Sequence, residues 1–582
     1  MLSGKNRLMN VLGINFDMLI SSAALIRDGE IVAAAAEERF TRRKQTREFP
    51  SSTVSYCFES GGISLEEVDY VASAWNPGVY FSKFNPIFSS QRRWKAEHLY
   101  SLPDNLLKHS NIKASNADYL LQKIGIGDSE LEIYFVTHHR AHAANGFLLS
   151  PFEEAAILTA DAQGEYETTT FGSGRGQSIS IHQTILYPQS IGVFYATITD
   201  YLGYRPNSDE WKVMALASYA DSNSIYYRLM KDKVIRLLPE GKFELDLTYF
   251  NGFNHEQPNL YTQKLVDVFG PARMSDQPIE SRHYEIASAL QRVTEETTFH
   301  MLHWLHQKVR TPNLAVSGGV FMNAVMNGKI VDNTPFENVF ISSCPDDSGN
   351  ALGAALYLYN HVFDKPERIT LSHNYFGPKF SNNDIKQVLD SFKVEAEYIE
   401  DIARKTAEFL REGKLVGWFQ GRMEFGQRAL GNRSILADPR DSEVKNRVNR
   451  AVKYREDFRP FAPAVLKEFS STFFELPEDV SVPFMEKVFT IRKEKRKEIP
   501  SVMHVDYTGR LQTVDRETNP LFYSLIEQFG QLTEVPMVLN TSFNLNGEPI
   551  VCTPKDALRT FFSCGLDILV MGNYVVKKES PS

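Results

Sequence analysis

The sequence predicts an α/β protein built from two linked modules. Three observations carry that reading. At 582 residues the chain is too long for one hydrophobic core. Its first half contains two similar strand–acid–hairpin patterns. Near residues 370–378 the character changes, from small-residue strands and helices to an Arg-rich second half. The apolar fraction of 42% and aromatic fraction of 12% suit a folded chain rather than a disordered one. A net charge of −9 argues against non-specific binding to nucleic acid or to a membrane surface. The four cysteines are scattered with no CxxC pair, which fits a reducing cytoplasm better than a disulfide framework. The opening stretch lacks a secretory apolar run, and no 18-residue apolar run suggests a membrane span.

The elements follow in chain order. Residues 10–16, "NVLGINF", read as a short buried strand. Residues 22–40, "SAALIRDGEIVAAAAEERF", place Asp28-Gly29 between two apolar runs, a strong hairpin signal. Residues 155–183 repeat the order: a buried strand ending at Asp161, small residues, then hairpin strands. Asp17 stands in the first copy about where Asp161 stands in the second. Two such units in one module are how the actin/hexokinase-like nucleotide-binding fold begins each of its halves, although many α/β proteins contain strand–hairpin units. Residues 284–309 have helical periodicity over about seven turns. Residues 313–330 read as strand, Gly-Gly turn, helix, and 339–359 as strand, acidic turn, small-residue helix. Residues 363–377 lose periodicity and read as a connector.

Within the first module, "THHRAHAANGF" (137–147) places His138 and His142 four apart in an Ala-rich run that should be helical, so both imidazoles share one face. A metal needs further ligands. Asp161 closes an apolar strand, where carboxylates commonly point into an active-site crevice. Asp347 opens a small-residue helix, although an aspartate there, like its neighbour Asp346, is also an ordinary N-cap. Two imidazoles with two carboxylates suit Fe(II), Mn(II) or Zn(II) better than Cu(I). The competing reading is a packed histidine pair. His139 faces elsewhere, as a supporting or structural group.

The second module is marked by residues 417–467. Between Arg422 and Arg459 lie ten basic and six acidic residues, a local excess of four in an acidic chain. Part of this stretch reads as an exposed amphipathic helix. Arg428, Arg433, Lys453 and Arg459 adjoin Gly or Pro turns and apolar residues, and Arg presents a planar fork suited to phosphate or carboxylate. Aromatics are not interleaved with the charges, so a small phosphorylated substrate fits better than nucleic acid. Arg510 and Asn540 add polar groups near strand ends.

These residues resemble the O-carbamoyltransferases of natural-product pathways, which include aminoglycoside, cephamycin and nodulation-factor enzymes. The matching stretches include "HHRAHAANGFLLSPF", "LTADAQGE", "SGGVFMNAVMNG", "PDDSGNALGAAL", "FQGRMEFGQRALGNRSILADPR", "VKYREDFRPFAPAVL" and "LNTSFNLNGEPIV", in the family's order from about residue 10 to 575. The resemblance implies an N-terminal actin-like ATPase (Kae1-like) domain over residues 1–370 and a C-terminal YrdC-like α/β domain over 378–582. It implies that the second makes a carbamoyl-adenylate from carbamoyl phosphate and ATP. The first would transfer the carbamoyl group to a hydroxyl of a small acceptor. Carried over by position, His138, His142, Asp161 and Asp347 are implied metal ligands, for Fe(II) or for Mn or Zn in its place. Arg428, Lys453, Arg459, Arg510 and Asn540 are implied to hold carbamoyl phosphate and nucleotide, with Mg accompanying the ATP. Gly318, Gly319 and Asn323 would line the first module's nucleotide pocket. His142, Lys453 and Arg428 form the implied catalytic set, and a homodimer is implied.

Two positions depart from the family pattern. Leu19 and Ile20 stand where it usually has His-Asp, and Trp211 stands where Gly usually precedes the lysine, here Lys212. Lys212 reads either as a phosphate contact or as an ordinary exposed lysine. Two alternatives accompany the main reading: threonylcarbamoylation of tRNA, disfavoured by the acidic balance, and a non-enzymatic nucleotide- or metal-binding module. Hydrogenase maturation is disfavoured by the missing CxxC pairs.

Overall fold

The computed structural model describes residues 8–17, 19–77, 79, 118–126, 129–251, 258–453, 459, 461–478 and 480–578. Part of the matched stretch 452–466, residues 454–458 and 460, lies outside them. The chain divides into two compact units, Met1–Ala33 with Arg47–Leu371 and Ala34–Thr46 with Ser372–Ser582.

The first unit is organised by two sheets. β1 (Asn10–Asn15) is wholly buried and pairs antiparallel with β2 (Ser22–Arg27). β3 (Glu30–Ala36) closes the hairpin. Asp28 and Gly29 both take positive φ, 48° and 86°, the backbone that a two-residue hairpin of right-twisted strands demands. Helix α1 (Ser51–Gly61) then crosses to β4 (Tyr70–Ser73), parallel to β1. β5 (Tyr119–Ile126) edges the sheet, and β6 (Ser129–Val136) lies parallel to β4. The order is β3-β2-β1-β4-β6-β5. α2 (His138–Phe147) leaves the end of β6.

The second sheet repeats the plan. β7 (Glu154–Ala160), β8 (Glu167–Arg175) and β9 (Ser178–Leu186) run antiparallel in sequence. After a small separate hairpin of β10 (Ile235–Leu237) and β11 (Phe243–Leu245), the long α3 (Ser281–Val309) leads to β12 (Asn313–Ser317), parallel to β7. β13 (Asn338–Ile341) is parallel to β12, and α4 (Asn350–Leu356) follows it. The order β9-β8-β7-β12-β13 matches β3-β2-β1-β4-β6 strand for strand. The inner strands β1, β7 and β12 read as unbroken apolar runs because both their faces are covered.

α2 and α4, the equivalent helices of the two repeats, meet with almost no side chain between them. A Cβ on Gly353 would lie 2.1 Å from the Ala141 carbonyl oxygen, and one on Gly13 would lie 1.9 Å from that of Ala351. Glycine at 13 and 353 lets α4 lie with backbone against β1 on one side and α2 on the other.

The second unit is a mixed sheet covered on both faces. Its strands are β14 (Glu397–Tyr398), β15 (Val416–Phe419), β16 (Arg433–Ala437), β17 (Ala462–Leu466), β20 (Gln512–Val514), β21 (Met537–Ser542), β22 (Ile568–Met571) and β23 (Tyr574–Lys577), in the order β14-β23-β22-β15-β16-β21-β17-β20. β18 (Val488–Thr490) and β19 (Thr508–Arg510) form a separate ribbon. Side chains alternate across the sheet as the period of two requires. Phe419, Ile435 and Leu539 pack with helices Asn382–Ser391 and Pro554–Phe562 on one face. Trp418, Leu436 and Val538 pack with Ile402–Arg411 and Pro520–Thr533 on the other.

Residues 34–46 are bound to this unit by arginines. Arg39 donates to the Gly426 carbonyl at 2.8 Å, and Arg42 donates to Ile550 and Pro549 carbonyls at 2.6 and 2.7 Å. No described helix is long and apolar enough to cross a membrane.

Candidate active site

The helix expected for the histidine pair is α2, with His138 as its first residue and His142 one turn on. β7 ends at Ala160, so Asp161 emerges at its C-terminal end, and Asp347 opens the single 3₁₀ turn before α4. All four side chains are buried. Each offers one ligating atom, and these atoms lie within 4.8 Å of one another. Nε2 of His142 is 3.0 Å from Nε2 of His138 and 3.0 Å from Oδ2 of Asp161. Asp347 Oδ1 lies 3.5 Å from both imidazole nitrogens, and His138 Nε2 lies 3.5 Å from Asp161 Oδ2. The N-cap alternative for the aspartates does not apply, because neither caps the turn: Asp346 makes no capping bond and instead accepts from the Ser348 hydroxyl.

These separations fit a divalent cation. Two imidazole nitrogens each about 2.1 Å from one ion and at right angles around it would sit about 3.0 Å apart. The hydrogen bonding points the same way. The Ser317 hydroxyl donates to the Pro345 carbonyl at 3.2 Å and so accepts from His142 Nδ1–H at 3.2 Å. With that bond a neutral His142 presents its Nε2 lone pair toward the Asp161 carboxylate, an arrangement that a cation between them would satisfy. Burial would lower the His142 pKa, but hydrogen bonds and charge from Asp161 and Asp347 outweigh it and lift it to about 9. Burial pushes Asp161 upward in turn, and the two histidines hold it well below the usual carboxylate range. Asn350 lies against both rings, its Nδ2 3.1 Å from His142 Nε2. Its buried Oδ1 has no partner among the described residues.

His139 turns away. Its Nδ1 pairs with Thr159 Oγ1 at 2.7 Å and its Nε2 with the Glu167 carbonyl at 3.0 Å. Burial then drives its pKa well down. Gly318 and Gly319 follow β12 directly beside the quartet: a Cβ on Gly319 would lie 3.0 Å from Asp161 Oδ1, and Gly318 has a φ of +104°. Asn323 spends its side chain on protein partners, accepting from Met326 N–H at 3.0 Å and donating to Gln291 at 2.9 Å. Lys212 is not an isolated exposed lysine but pairs with Asp209 at 3.0 Å. Ile20 is buried, and its carbonyl accepts from Asn15 at 2.7 Å.

In the second unit, Arg428 and Arg510 are near enough to repel. Burial first, and the Arg428 charge second, hold the Arg510 guanidinium well below its usual range, while Glu486 opposes them. Two guanidinium groups whose charges oppose each other favour an anion. Arg510 also donates from Nε to the Met485 carbonyl at 2.8 Å. Lys453 is buried, with its Nζ 2.5 Å from the Ser542 carbonyl and 2.7 Å from Asn544 Oδ1, where it holds the end of β21. Arg459 is buried as well. Asn540 donates to Gln512 at 2.8 Å and keeps a buried Oδ1 with no partner among the described residues. Arg433 departs from the reading of its neighbours. Its guanidinium lies 3.7 Å above the Phe419 ring and donates to the carbonyls of Gln420 and Pro378, so it organises the loop rather than facing a ligand.

The carbamoyltransferase N-terminus family model matches residues 10–356, and the carbamoyltransferase C-terminus model matches residues 407–578. The chain belongs to the carbamoyltransferase family. This carbamoyltransferase is 38% identical to the uncharacterized protein sll1178 of Synechocystis sp., over 98% of this chain and 97% of that one. It is 36% identical to nodulation protein NolNO of Sinorhizobium fredii, over 96% and 79%. It is 26% identical to the 3'-hydroxymethylcephem-O-carbamoyltransferase of Amycolatopsis lactamdurans, over 84% and 92%. The solved structure of HypF from T. kodakarensis aligns with 62% of this chain and 49% of its own at a TM-score of 0.30 and 11% identity, too remote to bear on the fold.

Several polar residues that support these candidate groups have no local signature. Ser317 and Asn350 reach the imidazoles, and Asn15 donates to the Asp347 carbonyl at 3.0 Å. Glu424 gathers the backbone N–H groups of Leu430, Asn432 and Arg433 on one buried oxygen and so shapes the loop that carries Arg428. Each lies inside a quoted stretch or beside one, but its role depends on a partner distant in the chain or across a loop.

Proposed function

We propose that this carbamoyltransferase uses ATP to activate the carbamoyl group of carbamoyl phosphate and transfers it to a hydroxyl of a small natural product. Relatives named as a nodulation protein and as a cephem O-carbamoyltransferase support the acceptor class. The chemistry explains the need for activation, because nitrogen donation makes a carbamoyl carbonyl a poor electrophile. Hydrolysis of carbamoyl phosphate yields carbamate and phosphate. A carbamate oxygen attacks the α-phosphorus of ATP, and pyrophosphate leaves. The acceptor hydroxyl then attacks the carbonyl of the mixed anhydride, AMP departs with the bridging oxygen, and the hydroxyl proton passes to a base.

In this reading the first unit is Kae1-like and actin-related, which its repeated sheet order supports, and the second is YrdC-like. Arg428 and Arg510 offset phosphate charge, with Lys453, Arg459 and Asn540 supporting that site. His138, His142, Asp161 and Asp347 would hold a divalent metal, with Fe(II), Mn(II) and Zn(II) the candidates. When bound, that ion supplies Lewis acidity toward a phosphate or carbonyl oxygen. The chain's own contribution is to keep four ligands convergent and buried, so that little water competes for the anhydride.

The observation that supports the reading most is the convergence of two imidazoles and two carboxylates from three chain segments on one point. The test is to supply the purified protein with carbamoyl phosphate, ATP and a panel of alcohols. AMP, pyrophosphate and a carbamoylated alcohol are expected. Absence of both AMP and carbamoylated product across the panel overturns the reading.

A further inference from the structure

The first turn of α2 presents a problem that its own N-cap residue does not solve. Thr137 occupies the N-cap with extended backbone, yet its side chain makes no capping bond, and its buried hydroxyl has no partner among the described residues. The first N–H of a helix lacks an intrahelical acceptor and must find one elsewhere. Here that N–H belongs to His138. It donates to Glu165, 3.0 Å from Oε1 and 3.1 Å from Oε2. The same Oε1 accepts from the backbone N–H of Asn76 at 2.8 Å.

Glu165 therefore joins three segments that meet nowhere in sequence: the turn after β4, the β6–α2 junction, and the β7–β8 loop from which it projects. That loop also carries Asp161, and it is held closely. Asp161 N–H donates to the Thr168 carbonyl at 2.9 Å, Gly164 N–H donates to the Glu167 carbonyl at 2.7 Å, and Ser190 Oγ donates to the Asp161 carbonyl at 3.0 Å. The loop lies directly on the histidines, since a Cβ on Gly164 would be 3.2 Å from His138 Cβ and 2.9 Å from His139 Cδ2. One loop thus sends one carboxylate to the ligand cluster and a second, four residues on, to the backbone of a ligand-bearing helix.

We propose that Glu165 is a positioning residue that sets the separation of His138 from Asp161 and thereby the metal affinity of the quartet. The inference rests on the metal reading of that quartet. Glu165 acts through hydrogen bonds to two N–H groups, so an amide oxygen in its place can do most of the same work, whereas a side chain that cannot reach both donors cannot.

Co(II) binding to the metal-free full-length protein, followed by its visible absorption, tests this without reference to activity. Thermal unfolding of each metal-free variant accompanies the titration. Glu165→Ala should weaken Co(II) about 10- to 100-fold, as loss of an outer-shell partner does. Glu165→Gln should recover most of that loss. If Glu165→Ala does not fold, Glu165→Asp, one methylene too short to span both donors, replaces it with the same expectation. Wild-type affinity in the alanine or aspartate variant overturns the inference and leaves the metal reading intact. Equal losses in the glutamine and alanine variants also overturn it. Failure of the wild type to bind Co(II), with His142→Ala indistinguishable from it, overturns both.

Discussion

At the scale of single residues, identical chemistry ends in different work according to what surrounds it. Arg428 and Arg433 are five apart in the same basic stretch. Arg428 remains half-buried near Arg510, while the Arg433 guanidinium is sealed between Phe419 and backbone carbonyls. Arg433→Met would strand the Gln420 and Pro378 carbonyls without their donor, at about 1–3 kcal/mol for such a loss. The expected result is a clear fall in denaturation midpoint with metal binding unchanged. Glu210 offers a prediction in pH. Burial lifts its carboxyl from 4.5 to about 7, so between those values the folded chain holds a proton that the unfolded chain has released. Stability then declines as pH rises through that window. Glu210→Gln should flatten the decline, read as the difference in thermal midpoint on either side of it.

At the scale of elements, the site depends on how closely two helices approach. α2 carries His138 and His142, and Asp347 leads into α4, so their spacing sets the ligand geometry. Gly353 permits that spacing by bringing its backbone against Ala141. Gly353→Val must push the helices apart at a cost of about 1–3 kcal/mol or more. Chemical denaturation should register the loss, and Co(II) affinity should fall with it. The helical placement of the histidine pair and the Asp28-Gly29 hairpin were legible in the sequence, because each depends on neighbours within a few residues. The attachment of residues 34–46 to the second unit was not legible, since its acceptors are carbonyls hundreds of positions away.

At the scale of the whole molecule, the proposed chemistry assigns different steps to different units, and lesions should separate accordingly. His142→Ala should lose metal and carbamoyl transfer, with transfer down about 100-fold or more, while pyrophosphate formation persists. Lys453→Ala should bind Co(II) normally and fail to release pyrophosphate, because the end of β21 loses the ammonium that gathers Ser542 and Asn544. Metal content and pyrophosphate release measured on the same preparations check both. Loss of both properties in either variant would contradict the assignment of separate steps.

The sequence by itself determined the α/β class, the repeated strand–acid–hairpin plan and the chemical types available for a site, since periodicity, turn residues and ligand spacing are written locally. Only the tertiary structure decided which of those groups converge. Asp161 and Asp347 meet the histidines because parallel strands deliver their C-terminal ends to one place, and the Ser317 and Glu165 contacts exist only once the two repeats are packed. A hydrogen bond between residues far apart in the chain leaves no trace in the spacing of either.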